Sequence, residues 1–285
     1  MGPQTRYGFI GLGNIGLPMA QTIARVGLPL TVWARRPESM VDFPDEVGRA
    51  ATPRELAQQC DVIGLCLFDA ASVDEVVFGP KGLAEGFRSG SILLIHSTVL
   101  PQYVIDLEAR LAPVGVRVID APISGGAPAA AAGELTIMIG GSPKDCDDAA
   151  PVIDAMSDNA VRLGAVGAGQ KTKLLNNSIF TAQLGLVNAM LELADVLEID
   201  RSGALTALAT SSGGSYALDM FARGGSVATM AGSQARPLLA KDVRLLASMV
   251  GDDALIVAVG EEFVKLMESS LASGNDEGTA KEGSS

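Results

Sequence analysis

Short runs of apolar, β-prone residues recur through the first half of the chain, at positions 7–10, 30–34, 62–67, 92–96, 116–120 and 135–139. Most are nearly continuous rather than alternating, the pattern of strands covered on both faces of a sheet. The stretches between them carry helical spacing. Residues 14–26 put Ile15, Met19, Ile23 and Val26 near one helical face ahead of Gly27, and residues 101–111 open with proline, which suits a first helical turn. This alternation predicts a parallel sheet wound with right-handed crossovers.

The rhythm changes after Ala160-Val161-Arg162-Leu163, and from Gly169 onward the sequence reads as long helices, most clearly over 171–199. A boundary is therefore expected near 163, with an α/β domain over 1–163 and an all-α domain over 164–285. The first long helix carries apolar residues on most sides, and such a helix is buried either in a core or in an oligomer interface, so a homodimer or homotetramer is expected. Gly and polar residues interrupt the longest apolar runs before they reach membrane-spanning length, so no spanning helix is expected. Residues 269–285, rich in Ser, Gly and acidic residues, read from composition as a loose tail, with an ordered C-terminal segment the equal alternative.

Composition narrows the function. A chain of 285 residues, 48% hydrophobic, has enough apolar surface for two cores. Its formal charge of −12 opposes nucleic-acid binding, in which neutralisation of phosphates by Lys and Arg dominates, and an anionic ligand must be held by local groups. The three cysteines, Cys60, Cys66 and Cys146, have no C-x-x-C spacing and read as buried thiols rather than a disulfide framework or a zinc site. His96 is the only histidine, which removes a Ser-His-Asp triad and any multi-histidine metal site, and it reads as a strand-end residue. A strand-like segment within a few residues of Met1 leaves no room for a leader, so the cytoplasm is the expected compartment.

Gly11-Leu12-Gly13-Asn14-Ile15-Gly16 satisfies G-x-G-x-x-G directly after a strand and at the start of a helix, the context in which it binds a dinucleotide. Gly11 permits the tight turn, Gly13 lets the main chain approach the pyrophosphate, Gly16 allows close helix–strand packing, and the helix start supplies N–H donors. The first domain is therefore read as a Rossmann domain. An acidic residue at the end of the second strand would favour NAD, but Trp33-Ala34 leads into Arg35-Arg36, with no carboxylate before Glu38. NADP(H) is the expected cofactor and NAD(H) the alternative; one of the two arginines is expected to be a plain surface charge.

Three further segments complete the pattern: Asp120-Ala121-Pro122-Ile123-Ser124-Gly125-Gly126, then Gly167-Ala168-Gly169-Gln170-Lys171-Thr172-Lys173-Leu174-Leu175-Asn176-Asn177, then Lys241-Asp242. Hydride exchange between an alcohol and a nicotinamide leaves a hydroxyl proton to be moved, so a positioned acid/base group is needed. Lys173 and Asn177 share one helical face, and the apolar neighbours of Lys173 set it apart from Lys171. Ser124, Gly125 and Gly126 offer a hydroxyl and unobstructed N–H groups to a carboxylate.

With the glycine loop, these segments resemble the β-hydroxyacid dehydrogenase family over nearly the whole chain. That family includes 3-hydroxyisobutyrate dehydrogenase and tartronate semialdehyde reductase. The resemblance implies Lys173 as the catalytic lysine, Asn177 as a substrate-orienting amide, Leu67 and Thr98 beside the cofactor, and Lys241 reaching cofactor or substrate from the helical domain. The implied substrate is a small carboxylate-bearing β-hydroxy acid or semialdehyde. His96 stands where many members carry aspartate. An imine reductase on the same scaffold and a non-catalytic nucleotide-binding protein are the rival readings, and Lys173 with Asn177 disfavours both.

Overall fold

The computed structural model describes residues 4–233 and 235–279, with the side chains of 272–279 excepted. The chain forms two compact units, Met1–Lys173 and Leu174–Ser285.

The first unit is built on one sheet. Its strands are β1 (Tyr7–Ile10), β2 (Leu30–Trp33), β3 (Gly48–Arg49), β4 (Val62–Leu65), β5 (Ile92–Ile95), β6 (Arg117–Asp120), β7 (Ile123–Ser124), β8 (Thr136–Gly140) and β9 (Asn159–Gly164). They lie in the order β3-β2-β1-β4-β5-β6-β8-β7, with β9 paired to β8. The ladder from β3 to β6 is parallel throughout. Six of the runs read from the sequence become β1, β2, β4, β5, β6 and β8. The all-parallel expectation fails beyond β6: β8 runs antiparallel to both β6 and β7. The chain leaves β6, forms β7 after Pro122 and turns back through a short helix over 126–132, a return too brief for a full crossover. β9 pairs with β8 alone, and all of its residues are exposed.

Successive residues of a strand face opposite sides of a sheet, and here the two sides are both apolar layers. Phe9, Ile92 and Leu94 join one buried cluster with Met19 and Ile23. Ile10, Leu93 and Ile95 join the other with Val104 and Leu107. Five helices whose spans bear on the site are α1 (Gly16–Arg25), α2 (Pro53–Gln59), α3 (Ala70–Phe78), α4 (Pro101–Leu111) and α5 (Gly126–Ala132); α6 (Pro143–Asp154) follows β8. The second helix expected from the sequence, over 101–111, is matched residue for residue by α4.

The helical C-terminal region opens with α7 (Ala168–Val196), and the division between the units falls inside it rather than at the change of rhythm near 163. The helices that follow are not all long. α8 (Arg201–Ala209), α9 (Tyr216–Ala222) and α10 (Val227–Ala231) are short, because Ser/Gly-rich stretches at 211–215 and 224–226 break them and Ser215 and Ser226 cap the next start. α11 (Ala235–Val250) and α12 (Leu255–Thr279) complete the unit. Residues 269–279 continue α12 instead of forming a loose tail, while 280–285 lie outside the described residues. Leu184, Leu218, Phe263 and Met267 form the centre of the helical core.

α7 is not buried on every side. Leu184 and Leu191 face the core, but Leu175, Ile179, Leu186 and Leu193 are exposed. By length and composition α7 is apolar enough to cross a membrane, whereas the sequence led to the expectation of no spanning helix.

Candidate active site

The loop from Gly11 to Gly16 joins β1 to α1 and has the stereochemistry its glycines imply. Gly11 sits at φ +100°, and a Cβ there would lie 2.1 Å from the Cys66 carbonyl oxygen. A Cβ on Gly16 would lie 1.9 Å from the Gly11 carbonyl oxygen, so neither position accepts a side chain. Gly13 differs, since a Cβ would meet nothing within 4 Å. The main chain at Gly13 therefore borders open space, where a pyrophosphate can approach it. α1 begins at Gly16 with no side-chain cap and no acidic residue in its first turn, which leaves its positive dipole end open to an anion.

A cleft of about 150 Å³ is lined by Gly11, Leu12, Gly13, Arg35, Arg36 and Leu67, among others. It brings together the glycine loop, the end of β2 and the end of β4, three segments that the sequence reading had assigned separately to the cofactor. The two arginines differ. Arg35 pairs with Glu75 at 3.0 Å, whereas among the described residues no hydrogen bond or ion pair engages the Arg36 side chain, whose main-chain carbonyl accepts from the Ser39 N–H at 3.0 Å. Ser39, a hydroxyl the sequence reading passed over, also lines the cleft. These residues fit a dinucleotide, with glycines where the backbone must be bare.

The loops after β4 and β5 are tied together, because the Leu67 N–H donates to Ser97 Oγ at 2.8 Å. Gln170, fully buried in the first turns of α7, holds the β5 loop by both ends of its amide: Val99 N–H donates to its Oε1 at 3.1 Å, and its Nε2 donates to the Ser97 carbonyl at 2.8 Å. Asp120, fully buried at the end of β6, accepts from the N–H groups of Gly167 and Gln170, each at 2.7 Å. Burial raises the Asp120 carboxyl above its ordinary pKa, and the N–H donors at the start of α7 oppose that rise. Both residues stand within the sequence motifs around 120–126 and 167–177, but their residue types alone assign them no such role.

Lys173 lies one turn beyond Gln170 and is only 8% exposed, while Lys171 is exposed. This contrast agrees with the distinction drawn from their apolar neighbours. Ser124 ends β7, and Gly125 and Gly126 lead into α5 with φ values of +127° and +70°. A Cβ on Gly125 would lie 2.6 Å from that of Ala129, so this glycine is required by the turn itself.

In the helical unit, Lys241 and Asp242 stand within α11. They form an ion pair at 3.1 Å, and Asn177 Nδ2 donates to the buried Asp242 carboxylate. Asn176 Nδ2 donates to Asn177 Oδ1 at 3.0 Å, so the Asn177 amide is fixed from both ends. Tyr216 is exposed and its ring lies 5.7 Å from that of Phe180.

His96 lies beneath this surface. Its Nδ1 is 2.8 Å from the Ala121 carbonyl, its ring stacks on Phe9, and Nε2 is buried without a partner. Desolvation lowers its pKa to about 4, so it is neutral and structural at ordinary pH. Desolvation likewise pushes the Cys60 thiol up to about 11 and that of Cys66 to about 12, and both stay protonated near neutrality. Among the described residues no cluster of His, Cys, Asp or Glu could hold a metal ion.

A bare glycine loop opening α1, at the carboxyl edge of a largely parallel sheet, defines a nicotinamide-dinucleotide-binding protein of the oxidoreductase class. Residues 6–165 match the family described as the NAD binding domain of 6-phosphogluconate dehydrogenase. The chain belongs to the β-hydroxyacid dehydrogenase family. It is 34% identical over 205 residues to an uncharacterized oxidoreductase of Shewanella frigidimarina, covering 71% of this chain and 68% of that one. It is 36% identical over 193 residues to mitochondrial 3-hydroxyisobutyrate dehydrogenase of Mus musculus, covering 67% of this chain and 57% of the mouse protein. Its fold is that of Mycobacterium tuberculosis 3-hydroxyisobutyrate dehydrogenase, solved with L-serine, at a TM-score of 0.81 and 22% identity over 94% of this chain and 99% of that one.

The buried imidazole gives a pH test. An unfolded histidine takes up its proton near pH 6.5 and His96 in the fold only near 4, so the unfolded state is favoured as pH falls through that window, and no such loss exists above it. Urea unfolding at pH 7 and pH 4.5 should show the wild type losing roughly 2 kcal/mol more stability than His96→Phe. Equal losses in the two proteins would remove His96 as the cause.

Proposed function

We propose that this chain is an NADP(H)-preferring dehydrogenase of a small β-hydroxy acid, or reductase of the matching semialdehyde, with Lys173 as general acid and base. The observation that carries this reading is the burial of Lys173 just inside α7, in a chain whose sheet edge holds a dinucleotide cradle. A buried lysine needs a reason, because surface lysines lose no solvation and are far commoner. The bound nicotinamide supplies or accepts the hydride. In reduction, the Lys173 ammonium gives its proton to the carbonyl oxygen as charge develops there; in oxidation, neutral Lys173 takes the hydroxyl proton. Asn177, its amide fixed by Asp242, holds that oxygen, and Ser124 with the N–H groups of Gly125 and Gly126 receives the substrate carboxylate. An imine reductase remains the rival, and turnover of an imine but of no β-hydroxy acid would favour it.

General acid–base assistance is worth about 10² to 10⁴ in rate. With 3-hydroxyisobutyrate, or whichever small β-hydroxy acid or semialdehyde in a panel turns over fastest, Lys173→Ala should lower kcat at least about a hundredfold. NADPH affinity and Tm should stay near wild type, and Lys171→Ala should do little. A Lys173→Ala protein keeping more than about a tenth of wild-type kcat contradicts the assignment.

For the cofactor, Arg36 is the better clamp for a 2′-phosphate, since the Arg35 side chain is engaged by Glu75. A charged hydrogen bond to phosphate is worth about 1.5–3 kcal/mol, so Arg36→Ala should lower the NADPH/NADH ratio of kcat/KM roughly tenfold or more. Arg35→Ala should lower it less. Wild-type kcat/KM for NADH equal to that for NADPH would refute the preference.

The partner we propose is a second copy of the chain, seated on the exposed stripe of α7. Ile179 and Leu193 lie at equal distances in sequence on either side of Leu186, so an antiparallel copy brings Leu186 onto Leu186 and Ile179 onto Leu193, as a two-fold interface requires. Light scattering after size exclusion should give a dimer or a multiple of it, and Leu186→Glu should give a monomer. A monomeric wild type, or one recovered only from detergent, counts against this partner.

A further inference from the structure

Gln170 is neither exposed nor in reach of solvent, yet it spends both ends of its side chain on main-chain groups of a single loop. Its own N–H is held by Asp120, whose other oxygen takes the N–H of Gly167. Two glycines keep this carboxylate's surroundings clear: a Cβ on Gly140 would lie 2.3 Å from Asp120 Oδ1, and one on Gly169 would lie 2.2 Å from the Met138 carbonyl oxygen and 2.9 Å from Asp120 Oδ2. The first turn of α7 is thus pressed against the sheet with no room for a side chain. From the other direction, Ser97 carries the same chain of hydrogen bonds to Leu67 at the cofactor cleft.

We propose that Gln170 is a positioning residue that sets where Lys173 stands relative to the nicotinamide, by locking the first turns of α7 to the loops after β4 and β5. The proposal rests on Lys173 being the acid/base group. Lys173 follows Gln170 by three residues, hence on the same side of the helix. A slip or rotation of the helix start would strand a buried carboxylate and a buried amide without partners, so the helix has one favoured register and not a continuum of them. A generic helix cap would satisfy the end of α7, but it would not couple that end to the loop that carries Thr98. Gln170 does both.

The test is a double-mutant cycle on the full-length protein with Gln170→Met, which keeps the volume and removes both side-chain hydrogen bonds, and Lys173→Ala. A displacement of about 1 Å can cost on the order of 10² in rate, so Gln170→Met should lower kcat by about tenfold to a hundredfold. KM and the NADPH dissociation constant should stay within about threefold of wild type. In the Lys173→Ala background the same substitution should have no further effect on kcat, because the group it positions is gone. A purely structural role would lower Tm and weaken substrate and cofactor binding together. If Gln170→Met does not fold, Gln170→Asn keeps a buried amide one methylene short of its partners and should give the same loss. Wild-type kcat in a folded Gln170 variant overturns the proposal, as does a loss that recurs in full without Lys173. Failure of the acid/base reading shows separately, as retained kcat in Lys173→Ala alone.

Discussion

A carboxylate with no access to solvent joins the sheet to the long helix. Asp120 ends β6, and its two oxygens receive the N–H groups that the start of α7 would otherwise leave without partners. A carboxyl group in an apolar interior carries a desolvation cost that raises its pKa, opposed here by oriented N–H donors at the start of a helix of 29 residues. The cost confers specificity, because no nearby arrangement of the same backbone satisfies its oxygens. The glycines around it, the buried amide of Gln170 and the placement of Lys173 all follow from keeping that carboxylate paired.

The two ends of the carboxyl edge do different kinds of work. On the β1–β2 side the site is made of absence, since Gly11 and Gly16 permit a turn with no room for a Cβ and Gly13 leaves backbone bare beside open space. On the β5–β6 side it is made of buried polar contacts that fix geometry. Selectivity for a phosphate can be supplied by exposed, adjustable arginines, whereas a proton transfer needs a group held to within fractions of an ångström. The helical unit repeats the second strategy, in that Asp242 holds both Asn177 and Lys241.

The parallel strands were legible in the sequence because burial on both faces writes each one as a continuous apolar run, and the glycine loop because its mechanism dictates both spacing and context. β3 and β7 were not legible: two residues carry no periodicity, and their pairing is decided by what lies beside them. The antiparallel turn after β6 was missed for a related reason, since β8 reads as apolar whichever way it runs. For the site, residue types near the cofactor could be named, but the division of labour between Arg35 and Arg36 depends on Glu75, forty residues away in sequence. Asp120 and Gln170 lie in motifs that were noticed, yet their roles exist only once β5, β6 and the start of α7 are adjacent.

β9 closes the sheet with a row of main-chain donors and acceptors that no further strand covers among the described residues, and Val161 and Leu163 lie exposed along it. An edge of this kind is a template on which a foreign strand can add. Arg162 stands between those two residues, paired to Asp147 on α6, and it cannot be covered by an incoming strand without losing water or its partner. One charged side chain thus acts as a gatekeeper for the whole edge. The guard is weakest where that ion pair is screened, so concentrated salt is the condition under which this fold is most open to growth from strand to strand.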